Sequence, residues 1–365
     1  MGVKLKSILI GLTASHILGA CGSKSESGGG FTPGKVEDVL SDTQFTGGVV
    51  NAAHSDVISA TADQGATAAV FFRDDSESES ESENDDDSSS VTKSCVASSE
   101  TKAAVVTSTS NVNRSRTKTS GGGRVTVTST RTGSGASTRT WTRANGTAVS
   151  CNPAGNAAQV DFKNPGGLQL DVTFERSRTD ERSFTRAGKT STFKRSFSGR
   201  GSRTITWGAN DTTQTGSTTY TRNKTVVIKD TTKSISMTNK NGKSLDASLA
   251  ISTSADSPLV VKVERDNTTN AVASKTIVSG QVIVKKDSDA TITTTYNNLM
   301  INFVDGSCSI QGGSAQVVVT DSAGTTLKAF TLGEGTDGDG SLKDDSGAEI
   351  EDFDLEECDA EDLKL

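Results

Sequence analysis

Arg139, Trp141 and Arg143 alternate with threonine in the stretch STRTWTR. In an extended chain, side chains two apart point to the same face. The spacing therefore sets an indole between two guanidinium groups. A guanidinium is a planar fork for carboxylate or phosphate. An indole face stacks on sugars and bases. Arg176 and Arg178 repeat the alternate spacing farther along. From Arg114 to Arg203 the chain carries seventeen Lys or Arg against five Asp or Glu. Such a stretch predicts a β-surface for polyanions such as lipopolysaccharide, anionic glycan or nucleic acid. The competing arrangement pairs these charges across strands and with the acidic C-terminal tail. Both can hold if the tail masks the basic face until a partner displaces it. Deletion of residues 333–365 then raises polyanion affinity.

The remaining reactive residue types argue against catalysis. His54 is the one histidine outside the N-terminal apolar run. A Ser-His-Asp or Cys-His device would have to use it. No GxSxG, HExxH or P-loop pattern occurs. With 45 acidic residues, the presence of carboxylate pairs singles out no site. The chain reads as a non-enzyme that needs no cofactor. Asp337 and Asp339 alternate with glycine, like the start of an EF-hand-type calcium loop. Leu342 then stands where the turn glycine belongs, and Glu349 falls one position past the closing ligand. A solvated acidic loop is the simpler reading.

The N-terminus carries a different chemistry. Lys4 and Lys6 precede a mostly apolar run from Ile8 to Ala20. That run is too short for a bilayer, which takes roughly 20 residues, and fits an export signal. The sequence Leu18-Gly19-Ala20-Cys21 resembles the lipobox of bacterial lipoproteins. The resemblance covers only this signal and extends to no other part of the chain. It implies cleavage before Cys21, diacylation of its thiol and acylation of the new amino group. Gly22 follows where Asp would mark inner-membrane retention, so the resemblance implies the outer membrane. Residues 22–34, GSKSESGGGFTPG, form a flexible tether. Two or three acyl chains hold such a protein firmly, whereas one alone is marginal.

With Cys21 given to lipid, Cys95, Cys151, Cys308 and Cys358 remain. Four cysteines in an exported chain predict two disulfides, with three connectivities open. Cys95–Cys151 and Cys308–Cys358 are the favoured pairs, since they bracket the two ends of the strand-rich region. No CxxC or Cys/His cluster offers a structural zinc site.

The elements that position these residues must be strands. The chain is 32% hydrophobic and 4% aromatic, against roughly 45–50% apolar in a typical domain. Its core must therefore be spread thinly. Leu168, Leu170, Val172 and Phe174 alternate with Gln169, Asp171, Thr173 and Glu175, the period of a half-buried strand. Similar runs recur to Leu332. Gly121-Gly122-Gly123, Gly133-Ser134-Gly135, Asn145-Gly146, Asn241-Gly242 and Ala323-Gly324 read as turns. The fold class is all-β, an antiparallel meander, sandwich-like or elongated sheet. Two Trp and two Tyr cannot supply the aromatic girdles of an outer-membrane barrel.

Charge is segregated along the chain. Residues 74–87 hold nine acids and no base, residues 333–365 fourteen acids and two bases, and residues 88–332 carry 31 bases against 16 acids. The expected organisation is a signal peptide (1–20), a tether (21–35), a small poorly defined segment (36–73), a disordered acidic linker (74–90), an all-β domain (91–335) and an acidic C-terminal segment (336–365). Together these features predict a lipid-anchored, non-enzymatic binding or adhesin-like protein of a bacterial envelope. It faces either the surface or the periplasm. The alternatives are a periplasm-facing scaffold or carrier of an anionic partner, and last a carboxylate-based enzyme. The expected partners are the membrane, through the lipid, and an anionic glycan, lipopolysaccharide or envelope protein. Nucleic acid is disfavoured.

Overall fold

The computed structural model describes residues 84–353, apart from 121–124, 163–164, 166, 187–188, 209–213, 216–217, 239–243, 270–271, 287–289, 305–306, 335–339, 345 and 348. Every regular element among the described residues is a strand, and every pairing with a described register is antiparallel. Fifteen strands make one large sheet and two more make a short ladder. The all-β reading holds. The described residues form two compact units, 84–211 with Ile228–Ile251, and 212–227 with 252–353.

The first unit is built on a meander of long strands. These are β1 (Asn84–Ala97), β2 (Ala104–Ser120), β3 (Val125–Arg143), then β6 (Leu168–Arg186) and β7 (Lys189–Trp207), paired in that order. Between β3 and β6 lie the two-residue strands β4 (Ser150–Cys151) and β5 (Ala158–Gln159), which pair with each other. Threonine at alternate positions explains the length of these strands. Its branched Cβ suits the pleated backbone on either face. β1 begins at Asn84, within the acidic run read as a linker.

The Gly133-Ser134-Gly135 turn expected from sequence is not a turn. These residues lie inside β3, where Ser134 pairs with Asn111 on one side and Ser177 on the other. Gly135 answers a close approach instead: a Cβ there would sit 2.9 Å from the Ser110 Oγ. Asn145-Gly146 does form a turn, with Gly146 at a φ of 70° and its N–H donating to the Arg143 carbonyl at 3.0 Å.

Each long strand of this unit has an apolar part and a polar part. Ala104, Trp141, Leu170 and Ile205 form one cross-strand row, and all are buried. Trp141 stacks on Trp207 at 6.1 Å between ring centroids, and Phe162 meets both rings. Burying each such side chain contributes roughly 1.5–3 kcal/mol. The connection from β3 to β6 closes over this cluster, with Val149 N–H donating to the Lys102 carbonyl at 3.0 Å. A Cys95–Cys151 disulfide ties β1 to that connection, and Cys95 N–H also donates to the Gly155 carbonyl at 2.7 Å.

The second unit contains β8 (Gln214–Thr215) and the first part of β9 (Thr219–Thr238). The rest of β9 and most of β10 (Ser244–Thr253) belong to the first unit. The second unit continues with β11 (Leu259–Asp266), β12 (Val272–Lys286), β13 (Ala290–Val304), β14 (Ser307–Asp321), β15 (Thr326–Glu334), β16 (Gly340–Asp344) and β17 (Glu349–Phe353). β9, β11 and β12 lie side by side, and β12 to β17 run as a meander. β16 and β17 fall in the stretch read as an acidic C-terminal segment. Leu259, Val261 and Val263 alternate inward on β11, as Ala315, Val317 and Val319 do on β14. Arg222, Lys224, Arg265 and Lys275 are buried among these strands as well. Ala323-Gly324 makes the expected hairpin, with Gly324 at a φ of 82°.

Candidate functional site

The alternate arginines of β3 and β6 do share a face. Arg139 stands opposite Val172, Trp141 opposite Leu170, Gly135 opposite Arg176 and Gly133 opposite Arg178. On β6 this face is buried at Leu168, Leu170 and Val172 and exposed at Arg182, Phe184 and Arg186, with Arg178 buried in between.

The indole is not a stacking platform for sugar or base. Trp141 is 3% exposed. Ala104 and Leu170 flank it, and Phe162 and Trp207 cover it. Its neighbours across the sheet are apolar, so the hydrophobic effect takes the ring inward. Arg143 is drawn into structure too: its Nη1 donates to the Pro165 carbonyl at 2.7 Å, bracing the connection to β6. Arg139, one row deeper, is half-buried, and burial holds its guanidinium below the ordinary value. It stays charged at any physiological pH.

Arg178 is 5% exposed and lies in an ion-pair cluster. Its Nε meets the Asp180 carboxylate at 2.9 Å, and Arg131 Nε donates to the same carboxylate at 2.9 Å. Burial pushes the Asp180 carboxyl up, but Arg178 and then Arg131 together outweigh it, so its pKa lies below the ordinary value. Pairing with Asp180, two residues along the same strand, therefore accounts for Arg178, and Arg131 joins it from β3. Arg176 is half-buried, its guanidinium 5.2 Å from the centre of the Phe174 ring.

The exposed cations lie farther along. Arg116, Ser129 and Arg182 form one cross-strand row. Phe184 and Arg186 continue the alternation on β6. Arg116, Arg182 and Arg186 are exposed, and Phe184 is 42% exposed. A basic strand end with an aromatic ring among its arginines results. The arrangement can hold phosphate or carboxylate groups by forked hydrogen bonds, with the ring against an apolar or sugar face. Sequence reasoning counted Arg116, Arg182 and Arg186 in the basic stretch but passed over Phe184. The alternation in RSFTR was the available signal.

In the β1–β2 register Asp85 stands opposite Arg116, and Asp87 opposite Arg114. Acidic positions of β1 are thus in register with basic positions of β2, the cross-strand half of the pairing that the sequence suggests beside the C-terminal tail.

Of the other residues singled out by sequence, Cys95 and Cys151 are joined, with Cα atoms 5.8 Å apart. Cys21, His54, Asp337, Asp339 and Cys358 lie outside the described residues, as does the side chain of Cys308. Among the described residues no group of three or more His, Cys, Asp or Glu could hold a metal ion. No protein-family model matches the chain, and neither a curated protein nor a solved structure matches it.

Proposed function

We propose that this chain is a lipid-anchored protein of a bacterial envelope and acts as a non-enzymatic binding module for anionic surfaces. The lipobox-like Cys21 and the Gly/Ser-rich tether behind it support the anchor. The observation that carries the binding role is the exposed set Arg116, Arg182, Phe184 and Arg186 on one face of one strand end. Phosphorylated or carboxylated glycans, such as those of lipopolysaccharide, have the matching charge.

The test is binding of the full chain to immobilised lipopolysaccharide. Arg182→Ala with Arg186→Ala should weaken binding by about tenfold at low salt, and by less as salt screens the charges. Retained affinity in that variant would remove this strand end from the function. Salt-independent binding would remove the electrostatic basis.

A further inference from the structure

The opposite face of the same strands has a different chemistry. Ser90, Asn111, Ser134 and Ser177 form one cross-strand row over β1, β2, β3 and β6. The next row is Ser88, Asn113, Thr132 and Thr179. All are exposed except Thr179, which is half-exposed. A cavity of about 560 Å³ is lined by these eight residues and by the row between them. A volume in that range suits a small ligand.

The two rows contain no charged side chain, and Arg178, in the row between them, is 5% exposed and paired with Asp180. On β6 and β7 the next charges of this face stand opposite each other: Glu175 with Arg200, and Glu181 with Lys194. A charged ligand gains nothing at such a place. A polyhydroxylated neutral ligand gains much, because every serine and threonine hydroxyl both donates and accepts. Several of these hydroxyls already join across strands. Ser134 Oγ and Ser177 Oγ lie 3.1 Å apart, as do Thr179 Oγ1 and Ser196 Oγ. The side chains are therefore held in place before a ligand arrives, which lowers the ordering cost of binding.

The lattice also has a repeat. Neighbouring strands are about 4.7–4.9 Å apart. That distance is comparable to one sugar ring along an extended polysaccharide. A chain laid across the strands would meet a fresh pair of hydroxyl or amide side chains at each ring. We propose that this face, centred on the cavity at Ser134 and Thr132, binds a neutral unbranched polysaccharide running across the strands. The site is separate from the cationic strand end, and neither depends on the other.

The measurement is co-sedimentation of the full chain with insoluble chitin and cellulose in about 0.5 M salt, where exposed charge interactions are screened. The wild-type chain should sediment with at least one of them. The fourfold variant Thr132→Val, Ser134→Ala, Ser177→Ala and Thr179→Val should bind about tenfold more weakly or worse, as several hydrogen bonds are lost together. Ser177→Lys, a single exposed change, should also weaken binding, and it decides the matter if the fourfold variant does not fold. Arg182→Ala with Arg186→Ala should leave sedimentation unchanged. Failure of the wild-type chain to sediment with either polymer overturns the proposal. So does full binding by the Ser177→Lys variant.

Discussion

Asp180 shows what one side chain decides in this sheet. It holds Arg178, two residues before it on β6, and Arg131, opposite it on β3, by short contacts. Asp180→Asn leaves a buried guanidinium short of counter-charge, and should cost about 2 kcal/mol by denaturant melts. The lowered native pKa also fixes a pH dependence. Its contribution is complete above the unfolded value, about pH 4, and is lost as pH falls through the lowered native value. Acid titration of the unfolding free energy should therefore be steeper in the wild type than in Asp180→Asn; equal slopes would refute the coupling. Trp141 makes the complementary case. Trp141→Ala should cost about 3–5 kcal/mol as a buried aromatic, read by thermal or denaturant melts. Trp141→Phe should leave affinity for anionic glycan unchanged. At this scale the shared face of Arg139, Trp141 and Arg143 was legible from alternate spacing alone. Burial was not, because it depends on Ala104, Leu170, Phe162 and Trp207, which come from distant parts of the chain.

Strands and their connections obey a longer-range logic. The period-two pattern at Leu168–Phe174 was sufficient to find β6, but not its far end at Arg186. Beyond Phe174 both faces are polar but for Phe184, and pairing with β3 and β7 keeps the chain extended. The same blindness turned Gly133–Gly135 into an apparent turn. A glycine pair reads alike whether the chain reverses or a neighbouring side chain presses close, and only the register separates the two. Cys95–Cys151 was legible from cysteine parity and position. The cross-link spans a sequence separation of 56, worth about 4 kcal/mol in the chain-entropy account. Cys95→Ser with Cys151→Ser should lower the denaturant midpoint accordingly. Amide exchange should rise first along β1, the strand the cross-link retains. Unchanged exchange there would mean that β2 pairing alone holds β1.

For the whole chain, the net charge of −7 hides the arrangement that matters. Acidic and basic blocks were legible as blocks. Their partners were not, because proximity in the sheet is set by strand order. β1 brings Asp85 and Asp87 beside the basic β2, while β16 and β17 pair within the other unit. Neutralising the start of β1, by Asp85→Asn, Asp86→Asn and Asp87→Asn, should raise affinity for anionic glycan at low salt by a few-fold. Surface binding assays over a salt series would read it. Unchanged affinity would mean that these acids do not temper the basic strand end.

The cross-link has a mechanical consequence as well. Among the described strands β1 pairs with β2 alone, and its first residue lies at the end nearer the N-terminus. A pull on the N-terminus would load that end and peel β1 from β2 one residue pair at a time. Peeling can pass from Asn84 to Ser94 and no farther, since the covalent bond at Cys95 takes up the load. Under tension the oxidised chain would yield a short, reversible length and then stop. The reduced chain would keep unravelling.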